Sequence, residues 1–319
     1  MPGIGKDRAQ SRRATVAIHV YVGAYTRQAG EPRGNGDGIS HYVLEKEGLV
    51  LRETVPCVNP SYLWASGDGH GLLAVQETAD PAGAGGGLCS FALAEDGAVR
   101  EQPLGQGWFP RGDHPCHVAV HPHGGLAAVA NYSGGNFSLF RLGDNGVPLA
   151  CLQTVNHQGH GTDLSRQERP HVHCMVFHPD GQRLYAVDLG LDRCVCYRQG
   201  ADGTWTPSPA EDLVSPVSGA GFRHMVIHPG RQFAYVNGEM GNGVTCFRMG
   251  EEGAAPVPVG TWPALSPAER QCASYTAAMC LHPNSRFLYV SNRGADSIAV
   301  FRLHPEGAVA GWAGTFPAG

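Results

Sequence analysis

Charged residues are scarce in this chain, and long apolar runs are missing. Only 16% of the 319 residues are charged, and the formal net charge is -5. Nothing in the sequence forms a basic stripe that would neutralise a phosphate backbone, so we expect no nucleic-acid partner. No run approaches the roughly 18 apolar residues that a membrane helix needs, so we expect no membrane association.

Helical periodicity is also lacking. No stretch repeats apolar residues at positions i, i+3, i+4 and i+7 over three turns, whereas alternation with a period of two is common. The 45 glycines and 23 prolines fall between short apolar runs, where they separate many short elements. The sequence therefore predicts an all-β protein.

The ten cysteines are scattered singly, with no C-x-x-C pair. Scattered single cysteines are typical of reduced thiols, so we expect a cytoplasmic protein. We also expect a monomer. Arg12 and Arg13 precede an apolar stretch of only about ten residues that His19 interrupts, which is too short for an export signal. We therefore predict a disordered tail at residues 1–16 and a single domain at residues 17–319.

A repeat organises the rest of the chain. A His-Pro dipeptide recurs with spacings of 57, 50 and 54 residues. Its histidines are His121, His178, His228 and His282. Each unit reads as strand, turn, strand, glycine-rich turn, strand and looser outer strand, and a weaker copy begins near Asn59. Four antiparallel strands repeated every 40 to 60 residues or so are typical of β-propeller blades, and we expect the repeated histidines to bond the turn backbone.

Two columns of the aligned repeat hold titratable residues. Five positions before each turn histidine stand Cys116, His173, Arg223 and Ala277. Eight positions before each closing aromatic residue stand Tyr132, Leu189, Glu239 and Arg293. Antiparallel neighbours bring the start of one strand beside the end of the next, so both columns open on the same end of the propeller. Polar groups are costly in otherwise apolar columns, so we expect four of these residues to meet at one mouth: His173, Arg223, Glu239 and Arg293.

Several motifs carry a resemblance to a known family. They are YVGAYT (21–26), ANYSGGNFSLF (130–140), RQERPHVH (166–173), VDLGLDR (187–193), FRHMVIHP (222–229), YVNGEM (235–240) and SNRGADSIAVF (291–301). In this combination the chain resembles the seven-bladed β-propeller lactonases, which include one type of 6-phosphogluconolactonase and the fungal carboxymuconate cyclase. The resemblance runs from about residue 17 to residue 316 and implies a propeller of four-stranded antiparallel blades.

The resemblance also implies an active-site set of one histidine, two arginines and one glutamate. Matched motif by motif, these are the residues that the repeat columns select: His173, Arg223, Glu239 and Arg293. Two neighbours depart from the family pattern, because Phe222 stands where proline is usual and Gly238 where asparagine is usual. Both substitutions could change loop shape, and neither removes a reactive group.

The repeat count falls short of seven. Residues 17 to 55 supply three strands of a first blade, and five further units follow, so the seventh blade is expected to be missing from this chain. We expect either a fragment with an unpaired, aggregation-prone edge or a smaller ring in which the N-terminal strands close against residues 308 to 316.

The chemistry of the four residues suits the opening of a lactone by water. His173 titrates near neutrality and is the expected general base. Arg223 and Arg293 offer fixed charge for a phosphate, a carboxylate or a developing oxyanion. Glu239 could orient His173 or an arginine, or act as the base itself.

Further residues are expected to bind substrate. They are Tyr132, Arg166, His171 and His224. A zinc site built from His171 and His173 with His114 or His117 is the competing interpretation. We expect no metal and no cofactor, because Arg223 shares a column with His173 and would repel a divalent cation.

Three functions fit these patterns. The first is a lactonase acting on a sugar-phosphate lactone, in the main case 6-phosphogluconolactone. The second is a cycloisomerase that closes a carboxylated muconate to a lactone. The third is a propeller that binds a partner without catalysis. The clustered charges favour an enzyme with a small sugar-phosphate or carboxylated lactone as its ligand.

Overall fold

The computed structural model describes residues 17–26, 34–79, 86–101, 111–143 and 146–318. These residues fold into six antiparallel sheets that follow one another along the chain. Consecutive strands are neighbours in five of the sheets, which are meanders, and the fourth sheet is a meander with one extra strand that departs from this order. The tail predicted at residues 1–16 lies outside the described residues.

The first sheet has three strands, and the second and third have four each. The first comprises β1 (Ile18–Gly23), β2 (Gly38–Glu45) and β3 (Gly48–Pro56). The second comprises β4 (Leu63–Ala65), β5 (Gly71–Gln76), β6 (Gly87–Leu93) and β7 (Val99–Glu101). The third comprises β8 (Pro115–Val120), β9 (Leu126–Asn131), β10 (Asn136–Leu142) and β11 (Pro148–Asn156).

The remaining three sheets keep the four-stranded pattern, with one extra short strand in the fourth. The fourth comprises β12 (Val172–Phe177), β13 (Arg183–Asp188), β14 (Arg193–Gln199), β15 (Trp205–Pro207) and β16 (Leu213–Val214). The fifth comprises β17 (Phe222–Ile227), β18 (Phe233–Gly238), β19 (Gly243–Arg248) and β20 (Val257–Pro263). The sixth comprises β21 (Tyr275–Leu281), β22 (Phe287–Arg293), β23 (Ser297–Leu303) and β24 (Val309–Pro317).

Short 3-10 helices lie in two connections, at Pro209–Glu211 and Glu269–Gln271. Among the described residues, no helix has the length and hydropathy that crossing a membrane requires.

An apolar cluster lies between each consecutive pair of sheets. The alternation seen in the sequence explains this, because successive side chains of a strand point to opposite faces. In β9, Val129 packs toward the second sheet and Ala130 toward the fourth. Phe140 on β10 likewise packs toward the second sheet and Phe137 toward the fourth. Burial of one such side chain stabilises the folded state by about 1.5–3 kcal/mol. The predicted all-β propeller with stacked blades is confirmed.

The innermost strands form the wall at the centre of the propeller. Strands β4, β8, β12, β17 and β21 pack on one another in that order. Residues at matching positions on these strands therefore face a shared central space.

The four turn histidines have a structural role. In each turn the imidazole Nδ1 accepts a hydrogen bond from the backbone N–H two residues later, at 3.2, 3.2, 3.1 and 3.1 Å in chain order. These bonds replace water as the partner of a turn amide. The expectation that the repeated histidines bond the turn backbone is confirmed.

Among the described residues, no strand pairing joins the first and sixth sheets. Within the described residues β1 pairs with β2, and β24 pairs with β23. No ladder connects residues 308 to 316 with the first sheet, so the expectation of a smaller closed ring is wrong. The described part of the chain holds six sheets, as the repeat count predicted.

Candidate active site

The four residues selected from the repeat columns line one central cavity of about 400 Å³. His173 is on β12 and Arg223 on β17, both innermost strands, while Glu239 follows β18 and Arg293 ends β22. Small-molecule sites commonly measure about 300–1,000 Å³. The structure thus brings together side chains from three consecutive sheets. The catalytic roles of these four residues stay predictions.

A β-bulge directs the first column into this cavity. The strand register shifts at Cys116, His173 and Arg223, where each innermost strand has one residue more than its partner. A fourth shift lies between Thr276 and Met279 of the sixth sheet. A bulge turns a side chain away from the regular alternation, and here it does so at the same position of four repeats.

Glu239 is the centre of an ion cluster. Its Oε1 accepts a hydrogen bond from Arg166 Nη2 at 2.7 Å, and its Oε2 lies 3.0 Å from both Arg223 Nε and Arg293 Nη2. Burial by itself would raise the pKa of Glu239, but the hydrogen bond from Arg166 and the charges of Arg293 and Arg223 hold it below its ordinary value. Glu239 is therefore a carboxylate committed to three guanidinium groups.

Arg166 reaches this cluster from the long connection between β11 and β12. The adjacent Gln167 anchors that connection, because its buried side chain accepts from the backbone N–H of Asp163 at 3.1 Å and donates to the carbonyl of Leu189 at 2.8 Å. The guanidinium of Arg166 also lies 5.9 Å from the ring centre of Tyr275. The connection holds a cation over the mouth of the cavity.

His173 is buried and uncharged at neutral pH. Burial and the charge of Arg223 hold the pKa of His173 well below its ordinary value. Its Nδ1 lies 3.7 Å from Cys116 Sγ, and its ring meets that of His224 edge-on with the centroids 5.6 Å apart. His173 is therefore a neutral imidazole that holds a proton less readily than an ordinary histidine, and the expectation that it titrates near neutrality is wrong.

Three of the four predicted substrate-binding residues line the cavity: Tyr132, Arg166 and His224. Arg223 Nη1 donates to His224 Nε2 at 3.1 Å. The pKa of His224 is well below its ordinary value because of burial and the charge of Arg223.

His171 is not among the described side chains that line the cavity. Its ring stacks behind Tyr132, with centroids 4.6 Å apart, and its Nδ1 bonds the carbonyl of Tyr132 at 3.2 Å. The zinc site considered above would need His171 and His173 to point the same way, as regular alternation along a strand would place them. The bulge at His173 removes that alternation, so this geometry was wrong.

Seven residues that line the cavity were not predicted as site residues: Ala277, Ala278 and five residues with polar side chains. These five are Tyr25, Ser61, Tyr62, Glu77 and Cys116. Cys116 stands in the first column. Tyr25 and Glu77 follow β1 and β5, as Glu239 follows β18, so they extend the second column to the first two sheets. Their sequence context lacks the His-Pro dipeptide on which the repeats were aligned.

The two departures from the family pattern are accommodated locally. Phe222 is fully buried in the apolar cluster between the fourth and fifth sheets. A Cβ atom at Gly238 would lie 2.8 Å from the carbonyl oxygen of Ala220, so this backbone leaves no room for asparagine.

No group of three or more histidine, cysteine, aspartate or glutamate side chains in the described part of the chain is arranged to hold a metal ion. His114, one of the ligands considered for a zinc site, bonds the hydroxyl of Ser133 at 2.8 Å.

Comparisons with known proteins agree with this architecture. Bacillus subtilis 6-phosphogluconolactonase is 30% identical over 287 residues, which cover 89% of this chain and 77% of that protein. The structure of a candidate 6-phosphogluconolactonase from Bacteroides uniformis matches with a TM-score of 0.81 and 30% identity, covering 95% of this chain and 83% of the other. Pseudomonas aeruginosa periplasmic gluconolactonase, PpgL, matches with a TM-score of 0.75 and 26% identity, covering 94% and 83%.

The family model described as "Lactonase, 7-bladed beta-propeller" matches residues 19–318. The chain therefore belongs to the seven-bladed β-propeller lactonase family.

Proposed function

We propose that this protein is a lactone hydrolase that converts 6-phosphogluconolactone to 6-phosphogluconate. The observation that carries the proposal is the convergence of three guanidinium groups on one carboxylate, in a cavity that also holds the neutral imidazole of His173. The excess of positive charge suits an anionic substrate. Relatives named for lactone hydrolysis favour this direction over lactone formation.

In the proposed mechanism His173 accepts a proton from water as the water oxygen attacks the lactone carbonyl carbon. The carbonyl electron pair moves to oxygen, and Arg223 stabilises the resulting oxyanion. When the carbonyl re-forms, the bond to the ring oxygen breaks, and His173 returns the proton to that oxygen. Nδ1 of His173 faces the Cys116 thiol, so Nε2 is assigned the proton transfer.

The other charged residues bind and orient. Arg166 and Arg293 have side chains that are 37% and 53% exposed, against 14% for Arg223. The two exposed guanidinium groups are assigned to the substrate phosphate at the mouth, where a bidentate geometry is available. Glu239 holds all three guanidinium groups in place and is not assigned the role of base.

We further propose that the protein acts in the cytoplasm as a monomer. The structure joins none of the ten cysteines, all of which lie among the described residues, in a disulfide, which supports a reducing compartment.

A coupled assay tests the activity, in which 6-phosphogluconate formed from the lactone is oxidised by an NADP-dependent dehydrogenase. We expect turnover above the uncatalysed rate, and a loss of about 100-fold or more in kcat for His173→Ala and Arg223→Ala. Carboxymuconate, followed by its ultraviolet absorbance, serves as the competing substrate.

Matched controls are His304→Ala and Arg302→Ala, which alter exposed residues outside the cavity. Both should keep wild-type kinetics. Wild-type turnover by His173→Ala and Arg223→Ala, with folding intact by circular dichroism, would show that the chemistry occurs elsewhere.

A further inference from the structure

A tyrosine and a glutamate form a second polar wall of the central cavity. Glu77 follows β5 in the second sheet, three sheets before Glu239 in the fifth. The hydroxyl of Tyr25 donates to Glu77 Oε2 at 2.9 Å. Both residues line the same cavity as Arg166, Arg223 and Arg293, so one space has a cationic wall and an acidic wall.

The two cavity carboxylates have different surroundings. Both oxygens of Glu239 are occupied by guanidinium groups. Glu77 has no arginine, lysine or histidine nitrogen within 4.0 Å of its carboxylate in the part of the chain that the structure describes. Glu77 is also only partly buried, so its carboxylate can accept hydrogen bonds from a ligand.

Tyr25 fixes the orientation of this acceptor. Burial and the negative charge of Glu77 raise the pKa of the Tyr25 phenol, so the phenol stays protonated and keeps donating. One carboxylate oxygen is thereby committed to Tyr25, and the other is left for the ligand.

The two walls differ in the chemistry that they accept. Guanidinium groups bind phosphate or carboxylate, whereas a carboxylate binds hydroxyl groups and repels other carboxylates. A ligand with one anionic group at one end and hydroxyl groups at the other matches both walls. A lactone that carries several carboxylates would bring like charges together at Glu77.

We propose that Glu77, oriented by Tyr25, is a specificity-determining residue that selects polyhydroxylated lactones with a single anionic group over polycarboxylated lactones. This inference rests on the proposed lactonase function and deepens it by defining the substrate class. Glu77 accepts hydrogen bonds from sugar hydroxyl groups and takes no part in proton transfer.

The test compares Glu77→Gln with wild type in steady-state kinetics and in calorimetric binding. With 6-phosphogluconolactone we expect the KM of the variant to rise about tenfold with kcat within about twofold of wild type, as for a lost charged hydrogen bond made equally in ground and transition states. We expect tricarballylate, a tricarboxylate without hydroxyl groups, to bind the variant about tenfold more tightly. Inorganic phosphate should bind both proteins equally.

Glu252→Gln is the matched control, because it makes the same chemical change at an exposed residue outside the cavity. It should match wild type in every measurement. Tyr25→Phe leaves the Glu77 carboxylate in place without its donor, and we expect a rise in KM of about threefold.

Two results would overturn the inference. Unchanged KM and unchanged tricarballylate binding in Glu77→Gln would remove its selective role, and a loss of kcat at unchanged KM would make Glu77 a proton-transfer group instead. Binding of 6-phosphogluconate separates this inference from the proposed function. If wild type binds that ligand in a Glu77-dependent way without hydrolysing the lactone, the proposed reaction fails and the selectivity stands.

Discussion

Three buried histidines lie side by side on the inner wall: His117, His173 and His224. The ring centroids of His117 and His173 each lie 5.6 Å from that of His224. Burial and the charge of Arg223 lower the pKa of His117 to about 3, and hold the pKa of the other two well below the ordinary value. The native state therefore keeps three neutral imidazoles where the unfolded state would charge them.

The stability of the protein should fall in acid because of these histidines. Between pH 6.5 and about 3 the unfolded chain binds protons at His117 and the native state does not, so stability decreases as pH falls through that window. Each such histidine contributes up to about 1.4 kcal/mol per pH unit. Urea unfolding between pH 7.5 and 5 measures the slope.

The variant His117→Gln should reduce the dependence of the unfolding free energy on pH by the contribution of one histidine. This expectation holds whatever the effect of the substitution on stability at pH 7.5. The exposed His304→Gln should leave the slope as it is. An identical slope in His117→Gln and wild type would mean that His117 is protonated in the native state.

The sequence could predict which residues meet in the cavity only where the repeat aligned clearly. The columns found His173, Arg223, Glu239 and Arg293 because their sheets contain the His-Pro turn. Glu77 was not predicted as a site residue because its repeat lacks that dipeptide. The burial of His171 behind Tyr132 could not be predicted, since a bulge is set by strand pairing and not by residue type.

At the scale of the strand and turn, the second sheet differs from the others. In the third and fifth sheets the turn histidine also reaches the next sheet, where His121 Nε2 lies 2.9 Å from Gly181 O and His228 Nε2 lies 3.4 Å from Ser285 O. The second sheet has Ser66 in place of the histidine. A cavity of about 640 Å³ opens beside Ser66 and Gly124.

Substitution of Ser66→His removes the hydroxyl bond to Gly71 N but should add a turn hydrogen bond and one toward the third sheet, as His121 makes, so we expect a net stabilisation of about 1 kcal/mol. The urea midpoint at pH 7.5 measures the gain. The control Ser66→Ala removes the hydroxyl that accepts from Gly71 N at 2.8 Å and should be destabilised by a similar amount. A Ser66→His protein no more stable than Ser66→Ala would show that the turn cannot adopt the geometry of its neighbours.

Strand positions were predictable because the repeat fixes them. The five repeat units that follow the first blade begin with β4, β8, β12, β17 and β21. The short strand β16 and Arg166 lie in connections of irregular length. No repeat indicates the positions of residues in these connections, so neither feature was predictable.

At the scale of the molecule, one side of the first sheet is uncovered by the described residues. β1 pairs with β2 alone, and its Ile18 and Val22 side chains are 56% and 44% exposed. An unpaired strand edge with apolar side chains promotes association between chains. The proposed monomer is therefore expected at low protein concentration.

Val22→Lys should reduce self-association at high protein concentration, because a charge on an edge strand opposes pairing with another edge. Light scattering coupled to size-exclusion chromatography measures this. Val217→Lys makes the same change at an equally exposed residue that lies in a connection outside the strands, and it should not alter association. If both variants or neither reduce it, β1 is not the surface through which chains associate.

The recurring bulge has a consequence for how such a protein diversifies. The third to sixth sheets each supply a bulge residue to the common cavity. Cys116 also belongs to an apolar layer between sheets, whereas His173 and Arg223 belong to none of these layers. The sixth sheet has alanines there, Ala277 and Ala278, and both line the cavity. New reactivity can therefore arise one side chain at a time, with the scaffold left unchanged.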